Sequence, residues 1–115
     1  MKKEEIIRIF TQTGALLQGH FILTSGRHSD QYMQCARVLQ YPDHTKQLTK
    51  IIAEQYSQDQ IDVVIAPAIG GIIVSYEVAR QLGVKSIFCE RREGGMTLRR
   101  GFSIDPGQKI LVVED

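Results

Sequence analysis

Ile61-Asp62-Val63-Val64-Ile65-Ala66-Pro67-Ala68-Ile69-Gly70-Gly71 is the stretch on which the fold turns. Its first half is a run rich in β-branched residues that Pro67 ends, so it reads as a strand. The run is apolar without alternation, the pattern of a parallel strand buried on both faces. Gly70-Gly71 then leads into a helix over residues 72–82, and Gly83 closes that helix at the position that favours a left-handed backbone.

Downstream, Ser86–Arg91 reads as another short strand. Residues 93–101 are rich in Gly and Arg with little periodicity, which suggests a mobile loop. Asp105-Pro106-Gly107 is a turn signal. Lys109-Ile110-Leu111-Val112-Val113 follows as a buried strand, delivering Glu114-Asp115 at its tip. Upstream, Pro42-Asp43 opens a helix with Asp43 as its expected cap, and Leu48, Ile51, Ile52 and Tyr56 supply its apolar face.

Farther upstream the pattern changes. Ile6, Ile7, Ile9 and Phe10 fall on one side of a helix over residues 3–13, with Gly14 as its stop. Residues 15–24 look extended, Ser25-Gly26-Arg27 is a turn, and residues 30–36 suggest a second strand. The expected organisation is a small N-terminal helix and strand segment over residues 1–41, then an α/β core over residues 42–115. That core is a parallel sheet flanked by helices with right-handed crossovers, and its set of elements looks unfinished.

Bulk composition narrows the function classes. The chain has 115 residues, a hydrophobic fraction of 43% and a formal net charge of +1. That is enough apolar material for a core, and it provides no global basic footprint for nucleic acid or for a membrane surface. No apolar run approaches the roughly 20 residues of a membrane span. Cys35 and Cys89, far apart and outside any CxxC spacing, point to neither a metal centre nor a disulfide. The charged Met1-Lys2-Lys3-Glu4-Glu5 is unlike an apolar leader. By elimination, a cytoplasmic protein is expected.

Four polar clusters carry possible chemistry. Thr24-Ser25-Gly26-Arg27-His28-Ser29-Asp30-Gln31-Tyr32 crowds a turn with hydrogen-bonding groups, one cation and one aromatic ring. Arg27 and Tyr32 there suit a planar anionic ligand, although taken alone the segment reads first as an ordinary polar hairpin turn. Pro67-Ala68-Ile69-Gly70-Gly71 lets backbone approach a ligand and places it at a helix N-terminus, where phosphate is favoured. It matches neither GxGxxG nor the P-loop spacing, and a tight strand-to-helix turn would look the same. Glu90-Arg91-Arg92-Glu93-Gly94-Gly95-Met96-Thr97-Leu98-Arg99-Arg100 sets two Arg pairs about a glycine-hinged segment, and four guanidinium groups so close together favour a local anion site over a solvated loop with local ion pairs. Glu114-Asp115 suits ribose hydroxyls or Mg²⁺ held through water, or is simply a strand end turning hydrophilic. In an open α/β sheet, ligands bind outside the carboxyl ends of the strands, where three of these clusters fall. His20 and His44 have no partner readable from sequence, and no Ser/His/Asp or Cys/His arrangement supports a nucleophile.

Leu23–Tyr32, Ala66–Gly71 and Ile110–Asp115 together resemble the type I phosphoribosyltransferases, and the first segment resembles the branch that uses orotate. The resemblance runs along essentially the whole chain. It implies transfer from 5-phosphoribosyl-1-diphosphate to orotate with Mg²⁺, giving orotidine 5′-phosphate and diphosphate in pyrimidine biosynthesis, by a cytoplasmic homodimer. By the same resemblance, Thr24, Arg27, Tyr32 and Met33 lie on the base side, and Ile69 and Gly70 in the diphosphate-side turn. Arg91 and Arg92 bind the donor, Glu114 and Asp115 open its ribose-binding motif, and Arg99 and Arg100 belong to the mobile catalytic loop. Thr24 and Gly70 stand where many members have lysine, and the loop lacks the usual lysine and histidine, for which Arg99 and Arg100 would substitute. The family continues past the two acids with a Thr/Gly-rich phosphate loop, so this chain alone is expected to be inactive and to self-associate. The competing readings are a phosphoribosyltransferase for another base, and a non-catalytic regulator that keeps the fold and senses the donor.

Overall fold

A computed structural model describes residues 1–115. The chain divides into two compact units, Met1–Thr45 and Lys46–Asp115.

The first unit begins with α1, Lys3–Gln12. Glu4 and Glu5 sit in its first turn, where the helix dipole favours acids. Ile6, Ile9 and Phe10 are half-buried, whereas Ile7 is exposed. The helix stops as its glycine dictates: Gly14 has φ +78°, and Ala15 N–H reaches back to Phe10 O at 2.9 Å. β1, Leu16–Ile22, and β2, His28–Met33, then form an antiparallel hairpin around the Thr24–Gly26 turn. The pairing slips between Gln18 and Phe21, so β1 carries a bulge at Gly19 and His20. β2 starts at His28 rather than at residue 30. It ends early because residues 36–39 form a one-turn helix, α2 (Ala36–Leu39), whose Val38 and Leu39 are buried with Ala15.

Helix α3, Pro42–Gln55, starts one residue earlier than its expected cap. Pro42 takes the first helical position, which loses nothing by lacking an N–H, so Asp43 lies inside the first turn.

The second unit is a four-stranded sheet in the order β5-β4-β3-β6. Its centre is β3, Val63–Pro67, with Val63, Val64 and Ala66 fully buried. Each buried valine contributes about 1.5–3 kcal/mol relative to exposure. β3 pairs in parallel with β4, Lys85–Arg92, and with β6, Ile110–Val112. Val113 extends the latter ladder by donating to Ile65 O at 3.0 Å. Between β3 and β4 runs α4, Gly71–Leu82, packed on both strands. Gly83 (φ +73°) ends it, and the Ser75 and Ser86 hydroxyls meet at 3.1 Å between helix and β4. The Gln81 amide donates to Thr49 Oγ1 at 2.8 Å, tying α4 to the later turns of α3.

One expectation is corrected. Residues 93–101 are not structureless, because Gly95–Leu98 forms β5, antiparallel to β4. The sheet is therefore mixed. Arg92 pairs with Gly95, leaving Glu93 (φ +50°) and Gly94 (φ +82°) as a two-residue turn. Two consecutive positive φ values match the twist of a hairpin. Glutamate in the first of those positions is an uncommon signal, which is why the hairpin is hard to read from sequence.

Candidate functional site

Because β3, β4 and β6 are parallel, the segments leaving their carboxyl ends share one edge of the second unit. Pro67–Gly70 leaves β3, Arg91-Arg92 ends β4, and Val113–Asp115 leaves β6. The turn after β3 is held by Ala68 N–H donating to Cys89 O at 2.8 Å, and its Ala68–Ile69 peptide is cis. Ile69 projects outward, 84% exposed.

Gly70 and Gly71 have different jobs. A Cβ on Gly71 would lie 2.8 Å from Ala66 Cβ, so this glycine seats α4 against β3. A Cβ on Gly70 would lie 2.5 Å from Asp115 Oδ2 and 2.7 Å from Oδ1. The Asp115 carboxylate therefore rests on bare backbone at the start of α4, where the helix dipole favours an anion. Glu114 beside it is exposed and makes no ion pair. Asp115 and the glycine turn, far apart in sequence, meet here.

The arginines separate into two pairs of unlike character. Arg91 and Arg92 are exposed, make no ion pair within the chain, and as consecutive strand residues point to opposite faces of β4. Arg99 and Arg100 are both drawn to Glu90. The Arg100 Nε and terminal nitrogen donate to the two Glu90 oxygens at 3.2 and 2.9 Å, and an Arg99 nitrogen lies 4.0 Å from Glu90 Oε2. The Arg100 guanidinium also sits 5.7 Å from the centre of the Phe88 ring, which meets Phe102 edge-on at 5.1 Å. Hydrogen bonding from Arg100 is the main cause holding the Glu90 carboxyl below its ordinary value, with the charges of Arg100 and Arg99 adding to it against partial desolvation. Arg100 itself adopts φ +59°, a left-handed backbone that a non-glycine residue keeps only when its surroundings hold it there. Glu90 opens the arginine-rich cluster of the sequence, and the local ion pairs of its solvated-loop alternative are the ones it forms with Arg99 and Arg100. It lies on the strand of a hairpin whose other arm leads to Arg99-Arg100.

In the first unit, Thr24 lies in the hairpin turn, which closes with Leu23 N–H donating to Arg27 O at 2.8 Å. Arg27 is exposed and unpaired. Tyr32 is 40% exposed and its ring lies 5.6 Å from that of Phe21. Met33 is exposed too, but alternation along β2 turns it to the face opposite Tyr32. His20 has a partner after all, since its Nε2 lies 2.9 Å from His28 Nδ1 across the hairpin. His44 stacks edge-on with Tyr41 at 5.8 Å, and its buried Nδ1 finds no hydrogen-bond partner. No group of three or more His, Cys, Asp or Glu side chains is placed to hold a metal ion, and no helix is long and apolar enough to cross a membrane. No disulfide joins Cys35 to Cys89.

No family model matches the chain. Among curated proteins it is similar to the orotate phosphoribosyltransferase of Pelotomaculum thermopropionicum, 62% identical over the whole chain and 60% of that relative. It is similar also to that of Desulforamulus reducens, 59% identical over the whole chain and the same 60% share. The chain thus spans about three fifths of the length of these relatives. Among solved structures, orotate phosphoribosyltransferase from Aeropyrum pernix superposes with a TM-score of 0.75 at 24% identity, covering 96% of this chain and 64% of that one. An adenine phosphoribosyl transferase from Trypanosoma brucei superposes with a TM-score of 0.67 at 12% identity, covering all of this chain and 57% of that one. The fold is that of the type I phosphoribosyltransferases.

Proposed function

We propose that the protein transfers the 5-phosphoribosyl group from 5-phosphoribosyl-1-diphosphate to orotate, giving orotidine 5′-phosphate and diphosphate on the way to UMP. The observation that carries this reading is the carboxyl edge of the second unit. There an acid pair, a bare backbone turn and free guanidinium groups converge from three parallel strands, and identity with orotate phosphoribosyltransferases runs along the whole chain.

In this reaction the bond from ribose C1 to the diphosphate oxygen breaks, the bond from C1 to the pyrimidine nitrogen forms, and that nitrogen's proton is released. Positive charge develops on the ribose and negative charge on the leaving diphosphate, so catalysis rests on positioning and charge complementarity. Glu114 and Asp115 accept hydrogen bonds from the ribose hydroxyls. Gly70 and Ile69 let the diphosphate approach backbone. Arg91 and Arg92 bind the diphosphate, and Arg99 and Arg100 neutralise it as it leaves. Thr24, Arg27 and Tyr32 form the base side, with Arg27 for the orotate carboxylate and Tyr32 for its ring, while Met33 lies on the other face of β2.

Mg²⁺ fits this site only in one form. No protein cluster here would cage the ion, so Mg²⁺ would be held through the diphosphate and water, with Glu114 and Asp115 on the ribose side. When bound it neutralises the leaving group.

A homodimer is part of the proposal. Its support is a pair of exposed apolar side chains about one turn apart on α4, Ile73 at 50% and Tyr76 at 66% exposure. We place the protein in the cytoplasm, where this pathway's substrates occur. The deciding experiment supplies the protein at its full natural length with the donor, Mg²⁺ and a panel of bases. Orotidine 5′-phosphate from orotate, with nothing from adenine or uracil, is expected. A purine nucleotide without orotidine 5′-phosphate would overturn the reading.

A further inference from the structure

The four arginines of the β4–β5 region are not equivalent, and Glu90 is the reason. Arg91 and Arg92 offer free donors, whereas the Nε edge of the Arg100 guanidinium is occupied by one carboxylate, with Arg99 at the margin of the same group. A guanidinium fork that already holds a bidentate carboxylate cannot present the same two N–H groups to a phosphate. Glu90 is also well placed to hold them. Its side chain is only 20% exposed, it lies on β4 opposite Thr97, and it shares a strand face with Phe88, over which Arg100 lies. Arg100 (φ +59°) and Gly101 (φ +79°) are consecutive left-handed residues, and Arg99 and Arg100 are otherwise exposed.

We propose that Glu90 is a positioning residue that keeps Arg100, and Arg99 with it, on β4 until a polyphosphate anion displaces its carboxylate. The exchange is a competition between two acceptors for one fork. A diphosphate has more charge and more acceptor oxygens than a carboxylate, so it takes the arginines when present, and Glu90 sets how much of its binding energy that release consumes. The proposal rests on the phosphoribosyl reading only for the identity of the anion.

The test uses the protein at its full natural length and inorganic diphosphate, measured by calorimetry. Glu90→Gln should bind diphosphate about fivefold more tightly, at the lower end of typical coupling between sites. Arg100→Gln should bind it more weakly, and the double variant no more tightly than Arg100→Gln alone. Unchanged or weaker binding by a folded Glu90→Gln overturns the proposal, and so does equal tightening with and without Arg100. A second measurement needs no mutation. The Glu90 carboxyl resonance, followed against pH, should titrate below the ordinary glutamate range in the free protein and move back toward it with saturating diphosphate; no movement overturns the proposal. Both readouts stand apart from turnover. A protein that shows the coupling but makes no orotidine 5′-phosphate keeps the Glu90 device and loses the proposed reaction.

Discussion

The carboxylate of Asp115 rests against the backbone of Gly70, so closely that a methyl group on Gly70 would fall 2.5 Å from one carboxylate oxygen. The two residues are brought together by the parallel pairing of β3 with β6, which aligns the turn after one strand with the tip of the other. Any side chain at position 70 must push the acid away from the start of α4.

Gly70→Ala should therefore impair ligand binding while sparing the fold. Gly70 has φ −58°, so alanine meets no backbone penalty, and the group it displaces is an exposed side chain. Affinity for the phosphoribosyl donor is expected to fall about tenfold, or about 1.4 kcal/mol, with the urea midpoint nearly unchanged. Donor titration and urea denaturation of the same variant check both halves.

Gly71→Ala should do the reverse. Its new methyl would meet Ala66 Cβ at 2.8 Å and Pro67 Cδ at 3.4 Å, inside the buried contact between α4 and β3. Overpacking of that kind costs about 1–3 kcal/mol. The urea midpoint should drop accordingly. Unaltered stability would mean that the helix is not seated on β3 as described.

Glu90 gives stability a dependence on acid. Its carboxyl is held below its ordinary value of 4.5, chiefly by hydrogen bonds from Arg100. The Glu90–Arg100 contribution is thus fully present above that ordinary value and is lost as pH falls through the lower, folded value. Glu77, lowered mainly by its hydrogen bond from Arg80, has the same sign, so the Glu90 share is the difference between parent and Glu90→Gln. Denaturation followed between about pH 3 and 6 should show that difference shrinking toward the acid end, and added salt should reduce it because the arginines are exposed.

Tyr32 is expected to act on the base and not on the donor. Tyr32→Ala removes a stacking face of about 1–3 kcal/mol, together with the ring contact to Phe21 at 5.6 Å. The KM for orotate should rise about tenfold or more while that for the donor holds. Tyr32→Phe should keep most of the affinity, since the ring survives.

Chelation should abolish donor binding more completely than any single acid substitution. The ion would be carried by the diphosphate and water, with no protein cluster to hold it alone. Glu114→Gln is then expected to weaken Mg²⁺-dependent donor binding without eliminating it, as read by donor titration with and without chelator.

Much of the site was legible because its signals are local. The β-branched run to Pro67, the paired glycines, Gly83 and the apolar strand ending in two acids each follow from backbone preferences within a few residues. Gly14 stopped α1 for the same reason. The failures were also local in kind. α2 is a single turn, too short for a period to show, and Glu93-Gly94 turned a presumed loop into the β4–β5 hairpin through a turn that glutamate seldom makes. The bulge at Gly19 and His20, and the slipped register around it, left no pattern that foretold the approach of His20 to His28.

The sequence by itself determined the class of fold, the central strand, the helix that follows it and the residue types able to meet an anionic sugar donor. These depend on hydrophobic run length and on the conformational limits of Gly and Pro, which a chain carries wherever it folds. Only the tertiary structure decided which of those residues are free to act. Asp115 meets Gly70 because parallel strands align their ends, and Arg100 is held by Glu90 because a tight turn folds one strand back along the other. Both relations depend on strand pairing, across a helical crossover for Asp115 and Gly70 and across a tight hairpin for Arg100 and Glu90, and residue spacing alone does not encode that pairing.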